Sequence, residues 1–249
     1  MIHSGGASHL GGAFSVVEIL NAVFSSIDIE KIKKQSKDRD RVILSKGHTT
    51  AALYATMFHY GLLSKSQINS YFSNGSLMSG HTSHFIENVE HSTGALGHGL
   101  PVGLGIALGS KAKKFKNRTY VILGDAELHE GSNWEAIMYA GYNRVNNLCL
   151  LIDKNRIGQL SSLEDSCGLD PLGDKMRTFH FDTYEIADGH DYEAISHIIK
   201  TSRKTNKPTA IICNTVKGKG VSFMEGDNVW HYRTPRGSLL EKAKKELEG

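Results

Sequence analysis

Asp125 stands just behind the apolar run Thr119 to Leu123, and Asn155 follows the run Asn147 to Ile152 thirty positions further on. Two such residues carried to neighbouring strand ends offer two hard oxygen donors to one divalent cation. Mg²⁺ takes near-octahedral oxygen ligands and is commonly shared with phosphates, so this pair with a backbone carbonyl and a diphosphate completes a site. The alternative is an ordinary Asp and Asn at strand ends, where both are common. Histidine is the second chemical signal. The chain has 249 residues, 13 of them His and 26 Gly, both in excess, since average Gly usage is about 7 %. Near-neutral imidazoles exchange protons at working pH and suit the neighbourhood of an anion.

The elements that must position these residues follow from periodicity. Thr119 to Leu123, Asn133 to Arg144 and Asn147 to Ile152 read as strand, helix and strand, a βαβ unit with buried parallel strands. Upstream, a helix is expected over Phe14 to Ser26, then a polar loop and the short strand Arg41 to Leu44. Helices are expected over Thr50 to Tyr60 and, after a Ser64 cap, Lys65 to Phe72. Asn74 to Gly99, rich in Gly, Ser, Thr and His, has no sustained period and reads as a long functional loop. Leu100 to Lys113 returns to helix. Strand Thr183 to Ala187, helix Tyr192 to Lys204, strand Thr209 to Asn214 and a short helix Leu239 to Leu247 complete the alternation. The expected fold class is α/β: one doubly wound, mostly parallel sheet with helices on both faces, in a single domain over 1–249. Ligands in such sheets sit at the carboxyl ends of the strands, where Asp125 and Asn155 fall.

Composition excludes several classes. With 39 % hydrophobic and 22 % charged residues and a net charge of +3, disorder is not expected. No apolar run approaches the roughly 20 residues of a membrane span. Met1 to Gly5 has neither a basic nor an apolar leader region, so a cytoplasmic protein is expected. Cys149, Cys167 and Cys213 are odd in number and form no CxxC pair, which suggests neither disulfide framework nor zinc site. Cys149 and Cys213 read as core residues. The basic clusters Lys31 to Lys37, Lys111 to Lys116 and Lys242 to Lys245 lack interleaved aromatics and read as solvated helix surface, not a nucleic-acid groove. The glycines from Gly94 to Gly105 are a poor dinucleotide fingerprint because the preceding residues, Ile86 to His91, are mostly polar.

Gly124-Asp125-Ala126-Glu127, Glu130-Gly131-Ser132-Asn133-Trp134-Glu135-Ala136, Asn146-Asn147 and Asp153-Lys154-Asn155 closely resemble the thiamine diphosphate motif of transketolases. The resemblance extends over nearly the whole chain, in family order. It takes in Ser8-His9-Leu10-Gly11-Gly12, Leu44-Ser45-Lys46-Gly47-His48, Ser79-Gly80-His81, the segment Ser92 to Gly99, Asp188-Gly189-His190-Asp191 and Trp230-His231. It implies a thiamine diphosphate-binding fold and a cofactor that carries the hard chemistry while the protein orients substrate and manages charge. By resemblance, Asp125, Asn155 and the carbonyl of Ile157 hold Mg²⁺, or another divalent cation such as Ca²⁺ or Mn²⁺. Gly124, Ala126 and Glu127 fall in the same cofactor-binding motif. His48 and His231 touch the diphosphate, and Gly94 and Leu96 contact the cofactor rings. His9 and His81 face the substrate, and His231 counts with them as catalytic because it lies near the reacting centre. Glu130 and Glu135 belong to a carboxylate network between active sites.

The same resemblance implies that the pyrimidine-binding domain, with the glutamate that protonates the cofactor ring and the arginines that grip sugar phosphate, lies on a separate C-terminal subunit. An α2β2 assembly acting on sugars or sugar phosphates is therefore expected, with no nucleic-acid or membrane partner. Ala126 departs from the usual Gly, His98 from a frequent Gln, and Tyr232 from a frequent Gly, which leaves the sugar open. The competing readings are a 1-deoxyxylulose-5-phosphate synthase, a ketol transferase for an unusual sugar and a non-catalytic cofactor-binding scaffold.

Overall fold

The computed structural model describes residues 1–248. Its sheet has five strands, all parallel: β1 (Arg41–Leu44), β2 (Thr119–Gly124), β3 (Leu148–Lys154), β4 (Asp182–Ile186) and β5 (Thr209–Asn214), in the order β1-β2-β3-β5-β4. Because successive strand side chains point to opposite faces, alternate residues of one apolar run supply two cores. Tyr120, Ile122, Cys149, Leu151, Ile211 and Cys213 pack on one face, and Val121, Leu123, Leu150, Ile152, Ala210 and Ile212 on the other. Buried on both faces, β2, β3 and β5 need the continuous apolar runs that made them legible. The expected α/β class with helices on both faces holds, and Cys149 and Cys213 are core residues.

The first face is covered by α1 (Leu10–Ser15), α2 (Val17–Ser25), α3 (Thr50–His59) and α7 (Tyr192–Thr201); the second by α4 (Gly99–Ala112), α5 (Gly131–Tyr142) and α6 (Leu172–Thr178). A last helix, α8 (Ser238–Glu248), buries Ala243 against a small cluster around Trp230. Among the described residues no helix is long and apolar enough to cross a membrane.

Four local expectations are corrected. The helix expected over Phe14 to Ser26 starts at Leu10 and is interrupted at Val16, where buried Ser15 turns its hydroxyl onto Asp153 of β3. The polar loop after it contains a helical turn, Ile29–Lys33, capped by Asp28, whose carboxylate accepts from the Lys31 amide. Ser64 caps as expected, in a capping box with Gln67, yet that helix ends at Asn69 because Phe72 takes a left-handed backbone and bonds to the Met78 carbonyl. Helix α6 was not anticipated, its seven residues offering too short a period to read.

Candidate active site

Asp125 and Asn155 emerge at the carboxyl ends of β2 and β3, which pair in register so that Gly124 lies opposite Asp153. The Asp125 carboxylate is buried and aimed by two backbone amides: Oδ1 accepts from Ala126 (2.8 Å) and Oδ2 from Arg156 (2.6 Å). Burial, reinforced by the Asp153 charge, pushes its pKa up to about 6. It is a desolvated anion with no side-chain cation bonded to it, the environment a divalent ion would relieve. Asn155 Oδ1 accepts from the Ile157 amide at 3.1 Å, tying the donors to one turn. The Ile157 carbonyl faces Lys217 Nζ at 3.5 Å, so a positive charge already lies near that oxygen. Among the described residues no three His, Cys, Asp or Glu side chains gather into a metal cage. The donors present fit a hard cation whose remaining ligands come from a phosphate group.

These residues line a cavity of about 570 Å³ with five histidines, His9, His48, His81, His129 and His231. The His9 ring centroid lies 5.3 Å from His48, 5.7 Å from His81 and 5.1 Å from His231. His9, His48, His81 and His231 come from four separate segments: the left-handed residue before α1, the turn after β1, the long loop before α4, and the short helical turn Asn228–His231 well beyond β5. His9 is held there at φ 68, a strained choice for a residue with a side chain, and its amide donates to the His231 carbonyl at 2.8 Å. Gly94 permits the approach of His81, since a Cβ there would lie 3.1 Å from the imidazole Cδ2. Burial first, then neighbouring cationic and imidazole groups, lowers His9 to about 4 and His231 to about 3 and drives His48 down as well. All three rings are therefore neutral at pH 7, able to accept as well as donate hydrogen bonds.

Sequence reasoning missed two lysines that line the cavity. Lys46 Nζ bonds to the buried Asp153 carboxylate, which also accepts from Ser15 Oγ (2.6 Å) and Thr215 Oγ1. Lys217 Nζ donates to the Gly158 carbonyl (2.9 Å) and to His231 Nδ1 (3.0 Å), so the proton of the neutral His231 ring sits on Nε2. Burial, then the Lys46 charge, lowers Lys217 to about 8. The readable signal was position: Lys217 follows β5 at the ligand-binding end of the sheet.

The remaining candidates divide. Gly124, Ala126, Leu96 and Glu130 line the cavity. Ala126 sits across from Gly158, where an added Cβ would be 4.0 Å from its methyl, so that methyl packs toward the turn after Asn155. Glu127 is buried with its carboxylate engaged by Ser45 Oγ and the amides of Gly97 (3.0 Å) and Gly124 (3.2 Å), a brace between three segments. Glu135 is not brought to the cavity; it lies on the exposed side of α5. His98 is exposed, its ring against the Leu96 carbonyl, and outside the cavity. His190 is also outside, accepting from the Val216 amide (2.8 Å) and donating to Glu18 (2.9 Å), which steadies the segment carrying Lys217.

Residues 1–246 match the family of the transketolase thiamine diphosphate binding domain. The chain belongs to this transketolase family. Among its relatives, an apulose-4-phosphate transketolase subunit from Phocaeicola vulgatus is 36% identical over 99% of this chain and 88% of the relative. The 6-deoxy-6-sulfo-D-fructose transketolase subunit SqwG of Clostridium sp. is 34% identical over 98% of this chain and 89% of that one. The transketolase of Pichia stipitis, solved with sedoheptulose 7-phosphate, superposes with a TM-score of 0.82 at 27% identity, covering 97% of this chain and 41% of the transketolase. The chain thus spans nearly the length of the subunit relatives and under half of the solved transketolase.

Proposed function

We propose that the chain is the diphosphate-binding subunit of a two-component transketolase, moving a two-carbon ketol unit from a ketose donor to an aldose acceptor. The observation that carries this reading is the convergence of His9, His48, His81 and His231 on the cavity that also holds Asp125, Asn155 and Lys217. Bound thiamine diphosphate supplies the nucleophilic carbon and the electron sink. Asp125, Asn155 and the Ile157 carbonyl are assigned to Mg²⁺, while Lys217 and His48 meet the diphosphate charge. His9 and His81 hydrogen-bond donor hydroxyls and move their protons, and His231, its Nδ1 held by Lys217, presents Nε2–H. Leu96 and Gly94 are assigned to the cofactor rings. Glu130 and the outward-facing Glu135 are assigned to a carboxylate network reaching a neighbouring active site.

The relatives named as subunits support a separate partner. That this partner carries the pyrimidine-binding domain, that the two form an α2β2 assembly and that this chain acts as one domain in the cytoplasm belong to the same proposal, resting on the motif resemblance and the sequence. The relatives' names also carry a phosphate and a sulfonate on the sugar, and an anionic sugar is the substrate class proposed here. Co-purification with the partner subunit, followed by a ketol-transfer assay with thiamine diphosphate and Mg²⁺, tests the reading. Restored transfer is expected, with Mg²⁺-dependent cofactor affinity of the complex lost in Asp125→Ala. Robust turnover by this chain alone, or retained affinity in that variant, overturns the corresponding assignment.

A further inference from the structure

Asp188-Gly189-His190-Asp191 lies between β4 and α7, and His190 is not part of the histidine cavity. The turn is pressed against the end of β5. The Gly189 amide donates to the Asn214 carbonyl at 2.7 Å, and a Cβ on Gly189 would fall 2.7 Å from that oxygen, an approach that only glycine allows. Next to it, the His190 side chain is 7% exposed and makes two bonds of opposite sense. Its Nε2 accepts from the Val216 amide at 2.8 Å. The ring proton therefore sits on Nδ1, which donates to Glu18 Oε2 of α2 at 2.9 Å. A ring protonated on both nitrogens has no lone pair for the Val216 hydrogen, so the carboxylate selects the one tautomer that can hold this amide.

Val216 immediately precedes Lys217. The amides of Thr215 and Gly218 donate to main-chain carbonyls, of Lys154 at 3.1 Å and of Gly11 at 2.9 Å, whereas the Val216 amide is held by a side chain. From this backbone Lys217 crosses the cavity wall, its Nζ reaching the Gly158 carbonyl at 2.9 Å, His231 Nδ1 at 3.0 Å and Asn228 Oδ1 at 3.3 Å. A lysine ammonium is a point charge on a flexible stem, so where it can reach depends on where the backbone starts it. Glu18, His190, Val216 and Lys217 thus form a continuous path from a helix on the outer face of the sheet to the charge in the cavity.

We propose that Glu18 and His190 are positioning residues for the diphosphate site: the carboxylate fixes the imidazole tautomer, the imidazole fixes the Val216 amide, and that amide fixes the point from which Lys217 reaches the anion. The assignment rests on the reading of Lys217 as a diphosphate contact. It is tested by calorimetric titration of inorganic pyrophosphate with Mg²⁺ into the complex with the partner subunit. His190→Leu weakens pyrophosphate binding about tenfold, the scale on which residues that orient a binding group act. His190→Gln, whose amide oxygen can take the Val216 hydrogen, recovers most of the loss. Glu18→Ala, at a side chain 30% exposed, leaves the ring in place but frees its tautomer, and weakens binding about threefold. A double-mutant cycle separates positioning from a general structural role: in a Lys217→Met background His190→Leu changes the affinity less than twofold, because the group it positions is gone. Equal losses with and without the Lys217 side chain, or wild-type affinity in His190→Leu, overturn the positioning role and leave the functional reading standing. If His190→Leu does not fold, Glu18→Ala carried through the same cycle decides the question by the same criterion. A wild-type complex that binds no pyrophosphate overturns the diphosphate reading as well.

Discussion

Beneath the cavity floor, Lys46 and Asp153 form an ion pair whose side chains are 3% and 0% exposed. Three donors converge on the Asp153 carboxylate, from α1, the turn after β1 and the turn after β5. Asp153→Asn keeps the volume but removes the charge, leaving the Lys46 ammonium buried without a counter-ion. Breaking a buried pair from one side costs about 3–5 kcal/mol, because the surviving charge keeps its desolvation penalty. For 249 residues, at an unfolding entropy near 2 cal/mol/K per residue, that corresponds to a fall in Tm of roughly 6–10 °C. Thermal unfolding followed by circular dichroism, with a urea titration for ΔG, measures both. Lys46→Met is expected to cost a similar amount, and Lys46→Met/Asp153→Leu less than either single change, since no unpaired charge remains. A loss below about 1 kcal/mol for Asp153→Asn, or strictly additive effects, would refute the claim that the pair is coupled and desolvated.

Two further outcomes follow from geometry and charge. A Cβ on Gly141 of α5 would fall 1.7 Å from the Phe179 carbonyl oxygen, so Gly141→Ala must push α5 from the segment after α6; a Tm drop of more than 10 °C or loss of soluble protein is expected, and unchanged melting would contradict that packing. Lys217, lowered to about 8, is mostly neutral between pH 8 and its ordinary value, and an anion bound beside it raises its pKa. Pyrophosphate binding near pH 8 should therefore take up protons, and affinity should fall as pH climbs above 8; calorimetry in buffers of different ionisation enthalpy checks this, with rising affinity as the contrary result.

Sequence legibility followed burial. Strands β2, β3 and β5 were readable because both faces are covered and their central positions form continuous apolar runs. Helix α1 was not, because Gly11 and Gly12 are poor helix formers; tertiary contact holds them, with the Trp230 carbonyl and the Lys217 side chain close above Gly11. The four histidines were found through their motifs, while Lys46 and Lys217 escaped notice. A lysine's character at a site comes from desolvation by residues far away in sequence, and apart from the position of Lys217 just after β5 nothing local marks it. Glu127 shows the converse: its motif position was legible, but its three hydrogen-bond partners, which make it a brace, emerge only from the fold.

Thr234 donates to the Ala7 carbonyl and the Pro235 carbonyl meets the His3 ring, pins between the first ten residues and the segment after α7 and β5 that join positions 227 and 232 apart in sequence. On a ribosome, the sheet's central strands can pair while synthesis continues, but His9 has no carbonyl to bond until His231 has left the exit tunnel. The histidine cluster is thus a closing event of folding, and its loss by local detachment need not melt the sheet. Hydrogen exchange should find the His9 amide protected far less than those of β3, so that the histidine-lined face is remade repeatedly on a scaffold that stays folded.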